Sequence, residues 1–117
     1  MTVRRLKTYT GSQGYVYQYY FVGKRPSQSS DADEYIFDVT SDRKTTYEVS
    51  ILLPSAVVAA WDEVHGRALA DSEQYAAVKM RLFHAFDELE EDMQAHGRQL
   101  RVDLPFLEES LSTLGVE

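Results

Sequence analysis

The sequence predicts an α+β fold: an antiparallel β-meander of about four strands, followed by about three helices packed on one sheet face. Three observations carry this expectation. Through the first half of the chain, apolar residues alternate with period two. After Pro54 they recur at helical spacing instead. Strands precede helices without βαβ alternation, which is the α+β order.

The first strand is read over "RRLKTY" (4–9), with "TGSQG" (10–14) as the turn after it. The second lies in "GYVYQYYFVGKRP" (14–26), where five aromatic residues fall within seven positions and two cations follow. Alternation puts Tyr15, Tyr17, Tyr19 and Phe21 on one face and Val16, Gln18, Tyr20 and Val22 on the other. "SQSSDAD" (27–33) has loop composition. "EYIFDVT" then sets Tyr35, Phe37 and Val39 against Glu34, Ile36, Asp38 and Thr40. "TYEVSILL" sets Tyr47, Val49, Ile51 and Leu53 against Thr46, Glu48, Ser50 and Leu52. These two strands read as a hairpin with one wet face.

Past Pro54, Ser55 is the expected cap of a first helix with Val57, Ala60, Trp61 and Val64 on its apolar side and Gly66 as its stop. Asp71 with Gln74 reads as a variant capping box for a second helix. Its stripe is Tyr75, Val78, Leu82, Phe86, Leu89 and Met93, with Lys79, Arg81, Asp87, Glu88, Glu90 and Glu91 away from it and Gly97 at its end. That stripe should cover the sheet face bearing Phe37, Val49 and Ile51. "LRVDL" reads as a short extended piece. Asp103 should cap a last helix with Leu104, Leu107, Leu111 and Leu114 on one side and Gly115 at its end.

The 117 residues suit a single domain, with 1–53 as the meander and 54–117 as the helical layer. There is no cysteine, so disulfides and thiolate metal sites are excluded. "MTVRRLKTYT" has no signal-peptide core, and no apolar run approaches the ~18 residues of a membrane span. These features lead us to expect a cytoplasmic protein that meets no membrane. The net charge of −7 is uneven: residues 1–25 hold five cations and no acid, and the rest holds seven cations and all nineteen acids. Overall acidity disfavours nucleic acid as a partner, although a local basic segment can still meet an anion.

Two constellations stand out. The aromatic strand is apolar on both sides, and three modest helices cover one sheet face. The other side should therefore meet something else. A second copy of the chain is the favoured partner, giving a homo-oligomer with a dimer preferred. The alternative is stacking of single-stranded nucleic acid on Tyr15, Tyr17, Tyr19 or Tyr20, with Arg4, Arg5, Lys24 and Arg25 holding phosphates. The second constellation is a carboxylate pair. A three-residue turn at Asp42–Lys44 sets Asp38 opposite Glu48. Such a pair is a weak catalytic candidate for an enzyme, since it lacks a third partner.

Nothing else points to chemistry. His65, His84 and His96 are not at metal-ligand spacing, and "GKRPS" fails the P-loop pattern because positions 18 and 25 are Gln and Arg. We expect no metal site and no cofactor. The expected role is a small non-enzymatic binding or assembly domain.

Overall fold

Period-two segments become a meander because consecutive antiparallel strands need only short turns. The computed structural model describes residues 6–11, 14–27, 31–89, 93–96 and 98–116. Its strands are β1 (Lys7–Thr10), β2 (Val16–Pro26), β3 (Ala32–Thr40), β4 (Tyr47–Pro54) and β5 (Gln99–Arg101). The helices are α1 (Ser55–His65), α2 (Asp71–Leu89), the single turn α3 (Met93–His96) and α4 (Leu104–Thr113). The sheet order is β1-β2-β3-β4-β5; the first four strands are antiparallel, and β5 joins β4 in parallel. A parallel neighbour requires a crossover, and α1 to α3 supply it. The fold is therefore α+β, with a mixed rather than purely antiparallel sheet. The expected residues Arg4, Arg5, Glu90, Glu91 and Gly97 lie outside the described ones.

The hairpin register follows from its turn. Val39 pairs with Tyr47 and Asp38 with Glu48. Asp42 organises the turn: its Oδ1 accepts from the N–H groups of Lys44 and Thr45 at 2.8 Å each. Those two bonds, Thr45 first, hold its carboxyl below the usual range. Arg43 takes the left-handed conformation, φ 64°.

One face of the sheet carries Tyr17, Tyr19, Tyr35, Phe37, Val39, Tyr47, Val49, Ile51 and Leu53, all buried. The stripe of α2 meets them as expected. Val78, Leu82 and Phe86 are fully buried, and Phe86 stacks on Tyr17 with ring centroids 4.3 Å apart. Trp61 of α1 completes the cluster. α4 packs on α1 and α2. His65 of α1 ties it down, its Nε2 lying 3.0 and 2.9 Å from the two carboxylate oxygens of Glu108.

Several helix details depart from the sequence reading. Pro54, not Ser55, is the N-cap of α1, and Ser55 Oγ donates to Asp31 Oδ1 at 3.3 Å. At α2 the cap is Ala70, whose carbonyl accepts from Glu73 and Gln74. Glu73 reaches back to the Ala70 N–H at 2.9 Å and also grips Arg67 through two 3.0 Å bonds. Arg67 first, and then the Ala70 N–H, pull the Glu73 carboxyl down to about 2. Val64 and Leu114, assigned to apolar sides, are 73% and 45% exposed. Gly66 does end α1, at φ 69°.

Asp103 caps α4 as expected, its Oδ1 accepting from the Phe106 N–H at 2.9 Å. Asp103→Ala should cost ~1 kcal/mol. A denaturant titration checks this, and an unchanged midpoint would show that α4 does not depend on its cap.

Candidate functional site

The aromatic strand divides between the two faces. Tyr17 and Tyr19 are core residues, 1% and 4% exposed. Phe21 lies on the same face at its margin, 37% exposed, with its ring 5.0 Å from Tyr75. Tyr20 points the other way and donates its hydroxyl to Asp38 Oδ2 at 2.6 Å. Tyr15 precedes β2 and is exposed.

A β-bulge precedes the two cations. Phe21 pairs with Phe37, but Gly23 pairs with Ile36, so alternation slips by one residue. Glycine suits such a point because it has no side chain to misplace. Lys24 thereby pairs with Tyr35 and lies over its ring at 5.6 Å, on the helix side. Arg25 pairs with Glu34 and donates to it at 2.6 Å on the opposite side. Lys24 also has Asp33 at 3.8 Å. The two cations therefore face opposite sides, each with its own acid. A single phosphate track cannot use both together with Tyr17 and Tyr19 while the core stays packed.

The helix-free face is arranged in cross-strand rows. Tyr20, Asp38 and Glu48 form one. Arg25, Glu34, Leu52 and Arg101 form another, and Ile36 and Ser50 lie between them. Ile36 and Leu52 are each 7% exposed, whereas Val16 and Val22 are 42% and 36% exposed. Asp38 and Glu48 are thus neighbours as the register predicts, but Tyr20 engages Asp38 and Glu48 stands exposed.

A cavity of about 430 Å³ lies elsewhere, between β1, α2 and α4. Sequence reading missed it, because it joins Tyr9, Phe83 and Phe106 from three distant segments. It also placed Asp87 away from the packed side. In the structure Asp87 Oδ2 accepts from the Tyr9 hydroxyl at 2.7 Å. Burial first, and then this bond to a carboxylate, push the Tyr9 hydroxyl up to about 12. No local signal links residues 78 positions apart.

Fold and surface together define a small α+β domain whose five-stranded mixed sheet carries, among the described residues, α1, α2 and α4 on one face. No family model, curated protein or solved structure matches the chain. Among the described residues no helix is long and apolar enough to cross a membrane, and no group of three or more His, Asp or Glu side chains is placed to hold a metal ion.

Proposed function

We propose that this protein is a non-enzymatic assembly domain whose helix-free sheet face binds a second copy of the chain. The observation that carries the proposal is the one-sided helical layer, which leaves Val16, Tyr20 and Val22 without a helix over them. An uncovered apolar patch on a sheet marks an interaction surface. The charge rows support a symmetric contact. Arg25 and Arg101 outweigh Glu34 in one row, which is cationic on balance, and Asp38 and Glu48 occupy another. A two-fold arrangement brings the cationic row of one copy against the acidic row of the other. The cysteine-free composition supports a cytoplasmic location.

Light scattering tests this reading. The wild type should be dimeric at micromolar concentration, and Tyr20→Glu should be a folded monomer. Tyr20→Glu also adds a third acid beside Asp38 and Glu48, so Val16→Glu, which lies away from that row, is the companion variant. Circular dichroism checks the fold of both. A wild type that is already monomeric at high micromolar concentration overturns the proposal.

A further inference from the structure

Lys7 and Lys79 come together although both are cations. The register sets Lys7 opposite Tyr19, and directly opposed residues of an antiparallel pair share a face. Tyr19 is a core residue of the helix side, so Lys7 lies on that side too. Tyr75, Lys79 and Phe83 fall at i, i+4 and i+8 of α2, which makes them one ridge. The Tyr19 ring lies 5.6 Å from that of Phe83. The Lys79 ammonium lies 5.9 Å from the Phe83 ring centroid and 5.7 Å from that of Tyr75. Lys79 thus sits over two rings on the part of α2 that meets β1 and β2. Burial first, and then the charge and contact of Lys7, lower the Lys79 amine below the usual lysine value.

Two like charges in contact repel, and a carboxylate beside them would relieve the repulsion. Lys24, Arg25 and Arg67 each have such a partner, at 3.8, 2.6 and 3.0 Å. Among the described residues, no carboxylate forms an ion pair with Lys7 or Lys79. Scarcity of acid is not the reason, since the chain has nineteen acids against twelve Lys and Arg. The pair is therefore left for an anion from outside. Each ammonium is a compact charge with three N–H donors, which suits the several oxygens of a phosphate; the planar fork that grips a carboxylate belongs to arginine. Two adjacent positive charges match a doubly negative group, and a monoanion leaves one of them uncompensated. The rings of Tyr75 and Phe83 beneath Lys79 exclude water on one side, which strengthens the attraction.

From this arrangement we infer that Lys7 and Lys79 form a binding site for a phosphate group, free or carried as a monoester, where β1 meets α2. The site is on the helical side of the molecule and is independent of the proposed assembly face.

Inorganic phosphate, phenyl phosphate and acetate test the inference, each titrated into the ¹⁵N-labelled full chain at about pH 7.5, where a phosphate monoester is doubly charged. Chloride holds the ionic strength constant, so that screening is the same throughout. Both phosphates should saturably shift amides in 7–10 and 75–83, and acetate should bind at least about fivefold more weakly. The tighter of the two phosphates names the source, and equal affinity assigns the site to the phosphate group alone. Lys7→Gln and Lys79→Gln should each weaken phosphate about fivefold. Lys44→Gln removes the same charge from the exposed β3–β4 turn and should leave the affinity unchanged. Lys7 is exposed, so its amide variant is expected to fold, and the dispersion of the same spectra verifies that. No saturable shift with either phosphate, shifts that map to other residues, acetate binding as tightly as phosphate, or an equal loss in Lys44→Gln overturns the inference. The ligand series and Lys7→Gln decide the matter even if Lys79→Gln fails to fold.

Discussion

Replacing Phe86 by alanine should cost ~3–5 kcal/mol of unfolding free energy. Phe86 is fully buried. Its ring stacks on Tyr17 at 4.3 Å and lies 5.6 Å from Tyr9 and 6.1 Å from Tyr19. It thus holds α2 against both β1 and β2. Truncation removes the transfer energy of the ring and leaves a void among large aromatic neighbours that cannot all close in. Val64→Ala is the contrast. Val64 was assigned to the apolar side of α1 from spacing alone, yet it is 73% exposed. Its loss should change stability by about 0.5 kcal/mol or less. Urea titrations with matched slopes measure both. A loss below 1 kcal/mol for Phe86→Ala would show that α2 does not dock through this ring.

What the sequence disclosed was whatever a local rule governs. Period-two alternation and a three-residue turn sufficed to place Asp38 opposite Glu48. The spacing of Val78, Leu82 and Phe86 identified the buried side of α2, because a helix turns by a fixed angle per residue. Asp103 was recognisable as a cap because the orphan N–H groups lie within three residues of it. The failures have non-local causes. Lys24 and Arg25 were read as one basic patch, yet neighbours on a strand face opposite sides, and the bulge at Phe21/Gly23 puts Lys24 on the helix side and Arg25 on the other, the reverse of unbroken alternation from Phe21. A strand's alternation cannot reveal where its partner slips. Val64 and Leu114 matched the helical period, but α1 and α4 each bury only the part of that face their neighbours reach. Ala70 became a cap because Glu73 reaches back to it, which the sequence reading overlooked in favour of Asp71 with Gln74. As for candidate sites, the Asp38/Glu48 pair was legible. The aromatic cavity was not, because Tyr9, Phe83 and Phe106 meet only through the packing of α2 and α4.

Raising the pH from about 9 to 12 should unfold the protein in a cooperative step that releases its buried tyrosines together. Five of the eight tyrosines have hydroxyls that ionise later than usual. Burial is the main cause in each. Tyr9 and Tyr35 are pushed up to about 12, and Tyr19, Tyr47 and Tyr75 are pushed upward too. Tyr35 and Tyr47 also have buried hydroxyl oxygens without a hydrogen-bond partner among the described residues, so no donor there would stabilise a phenolate. The sign follows from the protonated form being favoured in the fold. The unfolded chain loses these protons near pH 10, whereas the native chain keeps them. Their contribution is complete below pH 10 and is lost as the pH rises through the folded values. For Tyr35, 2% exposed and raised from 10.0 to about 12, the loss by pH 12 is roughly 2–3 kcal/mol. Losses of that order at several sites are comparable with the whole stability of a small domain, about 5–15 kcal/mol. Absorbance at the phenolate band and far-ultraviolet circular dichroism, followed against pH, should therefore change together. In Tyr35→Phe the transition should move to higher pH, because one proton fewer is released on unfolding. If all eight tyrosines ionise near pH 10 while the dichroism stays native, the aromatic layer is open to water and the packing of α2 on the sheet is wrong.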